Sequence, residues 1–189
     1  INDKDIERLK RSIKTRFNLE MSLNEEIVTI ACKIKPHQAT LVPERRQEIT
    51  TEGGLDIIKN FTRVKKVAGQ LQRKGIEVSL FIDANKEHIL KTVDAGIKII
   101  EIHTGSYDLA KTPSARLKEL KKIKAMTALA KSLGLVVNAG HGLKYNNTRA
   151  IAAIRDIEEL NIGHSIITRA LFVGLAQAVR EMKQIALGK

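Results

Sequence analysis

Short apolar runs alternate along this chain with stretches in which apolar residues return every three or four positions. The first pattern suits a strand buried on both faces, and the second suits one face of a helix. The chain opens on the second pattern. Ile6, Leu9 and Ile13 form a stripe, with Asn2 or Asp3 placed to cap it, and no strand feeds this helix. Strands are then expected at 16–21 (RFNLEM), 37–43 (HQATLVP), 77–83 (EVSLFID), 97–105 (IKIIEIHTG), 133–142 (LGLVVNAGHG) and 159–165 (ELNIGHS). Between the first two strands, SLNEEIVTIACKIKP reads as a helix that Ser22 and Glu25 open as a capping box and Pro36 stops. A polar loop, ERRQEITTEGG, leads into a helix through Lys74. A short helix is expected at 85–94 and another near 147–154. Thr112 and Pro113 read as the cap and first position of a long helix. A final helix is expected to carry Ile167, Leu171, Leu175, Val179 and Met182 on one side.

Regular alternation of this kind predicts an α/β protein with a parallel sheet. About six βα units plus a leading helix fit either an open doubly wound sheet or part of a (β/α)8 TIM barrel, and the leading helix without its strand favours the barrel. No linker divides the sequence, so residues 1–189 are expected to form a single barrel domain, incomplete at its N-terminal side.

Composition narrows the function classes. Aromatic residues are 3% of the chain and Trp is absent, leaving few platforms on which single-stranded nucleic acid could stack. The net charge of +12 comes from Lys and Arg in segments such as TRVKKVAGQLQRKG and RLKELKKIKAM. Apolar residues recur there at helical spacing (Phe61, Val64, Ala68, Leu71), so the basic residues read as solvated outer helix faces. No nucleic-acid partner is expected, although the charge would attract anionic substrates. Cys32 is a single cysteine, read as a buried helix position in a reducing compartment, and a cytoplasmic location is expected. No apolar run reaches the ~20 residues of a membrane span, and no membrane partner is expected.

The polar residues that interrupt the apolar runs collect where strands end, the face on which parallel α/β folds build their sites. Asn18 and Glu20 share one side of their strand, and Glu101 and His103 share one side of theirs. Asp83, His141 and His164 lie at or just past strand ends. Two histidines sit beside glycines, in NAGHG and NIGHS. Glycine lets a backbone approach an anion that a Cβ would hold away, so these loops read as a phosphate cradle with His164 as an added donor. His141 could instead reach a reacting carbon skeleton. No metal-ligand spacing, Walker loop or nucleophile elbow is present in the sequence, and no metal is expected.

The segments FNLEM, LVPERRQEITTEGGLD, VSLFIDA, IEIHTG, GLVVNAGHGLKYNN and ELNIGHSIITRALFVGLAQAVREMK resemble the pyridoxine 5′-phosphate synthase family, from Ile1 to about Leu187. The resemblance implies a (β/α)8 barrel in a homo-oligomer of dimers assembled into an octamer-like ring. It implies condensation of 3-amino-2-oxopropyl phosphate with 1-deoxy-D-xylulose 5-phosphate to pyridoxine 5′-phosphate, inorganic phosphate and water, without metal or organic cofactor. By the same resemblance Glu20 is a general base, His141 a proton donor, and Glu101 a carboxylate facing the substrate. Thr50 is a substrate-binding residue, and Gly142, Gly163 and His164 cradle the product phosphate. Two strands that the family carries before Ile1 have no counterpart here, so the chain alone is expected to be inactive.

Overall fold

The structure, a computed structural model, describes residues 2–44 and 53–188. Among these residues the order is α1 (Asp3–Ser12), β1 (Asn18–Met21), α2 (Glu25–Ile34), β2 (Gln38–Leu41), α3 (Ile57–Gln72), β3 (Glu77–Asp83), α4 (Lys86–Asp94) and β4 (Ile99–His103). There follow α5 (Gly105–Leu109), α6 (Pro113–Ser132), β5 (Val136–Gly140), α7 (Thr148–Ala152), β6 (Ile157–Asn161), α8 (His164–Val173) and α9 (Leu175–Ala186). Strand order in the sheet is chain order, β1 to β6. A doubly wound sheet reverses its order at a switch point, so unreversed winding with a helix after every strand is that of a (β/α)8 barrel, of which six units are described. The chain falls into two compact units, Ile1–Glu101 and Ile102–Lys189.

In the first unit β1 pairs parallel with β2, and β2 with β3. Residues in register share a face, which sorts the side chains into two sets. Ala39, Leu41, Val78, Leu80 and Ile82 are buried on one face, as are Val28 and Ala31 of α2 and Val64, Val67, Ala68 and Leu71 of α3. Each fully buried Leu or Ile contributes about 1.5–3 kcal/mol relative to exposure. The other face carries Asn18, Glu20, Gln38, Thr40 and Ser79. There the Thr40 hydroxyl donates to Asn18 Oδ1 (2.9 Å), and the Gln38 amide donates to Thr40 Oγ1 (3.3 Å).

Short polar side chains open the helices. Asn2 caps α1, where its side chain and that of Asp5 exchange bonds with each other's backbone N–H. Asp56 caps α3, Asn85 caps α4 and Thr112 caps α6 with Pro113 at the first turn. The expected capping box of Ser22 and Glu25 is not formed. Asn24 stands directly before α2 and its Oδ1 accepts the Glu26 N–H at 2.9 Å, while the Ser22 hydroxyl accepts from Asn24 N. Cys32 is half-buried rather than buried, because α2 turns Val28 and Ala31 inward and Cys32 lies on the flank of that stripe.

In the second unit β5 and β6 pair parallel, with an irregularity between Val137 and Asn138. Ile102, Val137 and Ala139 are buried, with Ile123 and Ala130 of α6, Ile151 of α7, and Ala178 and Met182 of α9. The expected single final helix is two. Gly174 takes φ +80° and the chain changes direction there, so α8 and α9 share no continuous stripe. Of the five residues expected on one side, Met182 alone is buried, while Leu171 is 81% exposed.

A glycine fixes the approach of the chain to the end of β3. Gly54 N donates to Asp83 Oδ1 at 3.0 Å. A Cβ at Gly54 would lie 2.5 Å from backbone atoms of Ile82 and Asp83. Gly54→Ala is therefore expected to cost about 2 kcal/mol through overpacking against atoms that cannot rotate away. Urea denaturation measures this, and an unchanged midpoint would contradict it.

Candidate active site

The strand-end residues are distributed between the two units. In the first, Glu20 is the penultimate residue of β1, in register with Thr40 and open to solvent. Asp83 ends β3 and holds the Gly54 N–H. Glu101 lies inside β4 and is only 3% exposed. Thr50 lies outside the described residues.

The second unit holds His103, His141 and His164. His103 ends β4 and is buried. His141 directly follows β5, half-buried, and its ring centroid stands 5.0 Å from that of His103 with the rings tilted by 48°. Gly105 makes room for this pair, since a Cβ there would lie 2.5 Å from His103 Nε2 and 3.3 Å from His141 Cδ2. His141 itself takes φ +69°, a left-handed conformation that few side chains adopt, and Gly142 follows at φ +73°. A Cβ on Gly142 would stand 2.8 Å from Asp108 Cβ. The glycine after His141 is thus required by its backbone angle and by its neighbour.

A polar network surrounds this turn. Thr104 N donates to Gly140 O (2.9 Å), and the Thr104 hydroxyl lies 2.9 Å from Gly140 O and 2.5 Å from His141 O. Asn147 Nδ2 donates to Gly142 O (3.1 Å) and to Asp108 Oδ1 (3.0 Å), while its Oδ1 accepts the Lys144 N–H (2.7 Å). Lys144 Nζ pairs with Asp108 at 2.7 Å. Tyr107 donates its hydroxyl to Asn147 O at 3.0 Å, and burial pushes its pKa above the usual tyrosine range, which keeps it a donor. Gly163 and His164 lie at the exposed start of α8, and no side chain caps that helix. The Ser165 hydroxyl donates to Leu143 O (2.8 Å), tying the first turn of α8 to the loop that carries His141 and Gly142.

Sequence reasoning found the histidines and the glycines around them and missed the groups that hold them. Thr104, Asp108 and Asn147 reach carbonyls or side chains 36 to 39 residues away, apart from the local Asn147 bonds to Gly142 and Lys144. No local periodicity marks such contacts. Helix α5, five residues long, is too short to show a helical repeat. Among the described residues, no group of three His, Cys, Asp or Glu is placed to hold a metal ion, and no helix is long and apolar enough to cross a membrane.

Unreversed parallel winding with acid–base side chains at the strand ends defines an enzyme of the (β/α)8-barrel class. The family model of the pyridoxal phosphate biosynthesis protein PdxJ matches residues 1–187, and the chain belongs to that family. It is 52% identical over 185 residues to a pyridoxine 5′-phosphate synthase of Alcanivorax borkumensis, covering 98% of this chain and 76% of the relative. It is also 52% identical over 188 residues to a synthase of the same name from Aliivibrio fischeri, covering 100% and 77%. Among solved structures, a mutant tryptophan synthase α-subunit from Pyrococcus furiosus has a similar fold. It superposes with a TM-score of 0.64 at 11% identity, over 99% of this chain and 72% of that one.

Gly142 and Gly163 differ in what they tolerate. Gly163 has open space at its Cβ position and no left-handed backbone angle, unlike Gly142. Gly142→Ala is expected to lower stability by about 1–3 kcal/mol, and Gly163→Ala by less than about 0.5 kcal/mol. Parallel urea titrations measure both, and equal losses would contradict this reading of the turn.

Proposed function

We propose that Glu20, Glu101 and His141 move the protons of pyridoxine 5′-phosphate synthesis, the activity that membership of the family carries. The substrates are 3-amino-2-oxopropyl phosphate and 1-deoxy-D-xylulose 5-phosphate, and inorganic phosphate and water leave with the product. The observation that carries the site assignment is His141. A non-glycine residue held in left-handed backbone space at the end of a barrel strand is strain of the kind that persists at functional sites.

The chemistry explains the residue types. The amine of one substrate condenses with the carbonyl of the other, and a C=N bond forms as water departs. Loss of phosphate and ring closure then require protons to leave carbon and nitrogen and to reach oxygen. Glu20 accepts a proton as general base, and His141 delivers one to the departing oxygen. Glu101 faces the reacting skeleton, where its burial strengthens any charge it presents. Gly142, Gly163 and His164 hold the product phosphate, with backbone N–H groups at the start of α8 and the imidazole as donors. The Ser165–Leu143 hydrogen bond supports this reading by keeping the two loops together. Thr50 binds substrate. The net charge of +12 favours approach of two phosphorylated substrates. The family resemblance further supports a cytoplasmic homo-oligomer of dimers joined in an octamer-like ring.

Glu20→Gln is expected to lower turnover by about 100-fold or more while leaving the melting temperature in place. His141→Asn is expected to lower kcat with little change in KM. Steady-state kinetics on the intact protein measure both, and wild-type rates in either variant would refute that residue's role.

A further inference from the structure

We infer that Thr104 is a positioning residue that holds the His141–Gly142 turn in its left-handed conformation, so that the imidazole stays beside His103. The inference rests on the reading of His141 as proton donor. Left-handed backbone is unfavourable for a residue that carries a side chain, and such strain persists only where the surroundings over-determine it. Here the surroundings are specific. Thr104 stands at the N-cap position of α5 and Asn147 at that of α7, yet neither side chain caps its own helix. A threonine or asparagine at that position ordinarily accepts an N–H of its own first turn. Both side chains are turned instead onto the strand-end loop of His141.

The donor count assigns the hydroxyl proton. Gly140 O already accepts the Thr104 N–H at 2.9 Å. The hydroxyl has one proton, and the nearer carbonyl is that of His141 at 2.5 Å. Asn147 holds the next carbonyl, that of Gly142, at 3.1 Å. Thr104 is fully buried and Asn147 is 5% exposed, so bulk water does not substitute for either donor. The His141–Gly142 pair is thereby held at both of its carbonyls.

Thr104→Val keeps the volume and the backbone N–H and removes the hydroxyl proton. Because the side chain caps no helix, the change leaves α5 with the capping it already has. In the intact protein kcat is expected to fall by about 10- to 100-fold, the scale of a misplaced catalytic group, with KM for both substrates changed by less than about threefold on that same argument. Thr104→Ser restores the proton and is expected to restore kcat. In the His141→Asn background, Thr104→Val is expected to cost nothing further, because the group it positions is gone. Imidazole resonances of His141 in ¹⁵N spectra are expected to shift in Thr104→Val and to return in Thr104→Ser. Should Thr104→Val fail to fold, Thr104→Cys, with only a weak S–H donor, replaces it with the same expectation. Wild-type kcat in Thr104→Val, failure of Ser to rescue, or an additive loss in the double variant would overturn the positioning role while leaving the His141 assignment standing. Wild-type turnover in His141→Asn would instead overturn the assignment on which the inference rests.

Discussion

In a parallel sheet, residues in register share a face, and in this chain one face is committed to the helices. Ala39, Leu41, Val78, Leu80 and Ile82 are buried there. Every second position must then turn the other way, and those positions carry Asn18, Glu20, Gln38, Thr40 and Ser79 in the first unit. The period of two that makes the core also delivers a row of polar groups to the opposite face and to the strand ends. The helices serve this arrangement by returning the chain to the start of the next parallel strand.

Strand ends alone do not aim a side chain. In the second unit the aim is set by a left-handed turn at His141 and Gly142. Gly105 clears space for the His103 and His141 rings, and Gly142 allows Asp108 to come close. Thr104 and Asn147 then hold the carbonyls of the turn. The glycines supply room and backbone freedom, and the buried donors remove that freedom again in one direction. This division of labour explains why the histidine sits between glycines.

Much of this is legible in the sequence because it is local. β3 occupies the expected residues, Glu77–Asp83, since its apolar run is long and bounded by turn residues. The Thr112–Pro113 start of α6 is likewise found where cap chemistry puts it. The candidate residues Glu20, Glu101 and His141 lie within or directly after strands because alternation places them there. What was not legible depends on distant partners or on one backbone angle. Gly174 at φ +80° divides a stripe that reads as continuous. Asn24 displaces Ser22 as cap because it stands two residues nearer the helix and reaches the Glu26 N–H. Thr104 falls within the expected strand 97–105 and carries no local signal of its role, because its actual partners lie 36 and 37 positions away.

The central claim is that this barrel makes pyridoxine 5′-phosphate by moving protons at its strand ends. The most direct measurement incubates the intact protein with 3-amino-2-oxopropyl phosphate and 1-deoxy-D-xylulose 5-phosphate and follows product by mass and absorbance, with released phosphate counted alongside. The account predicts pyridoxine 5′-phosphate and inorganic phosphate in equal amounts. Intact, folded protein that consumes neither substrate, or that releases phosphate without forming the ring, would contradict it.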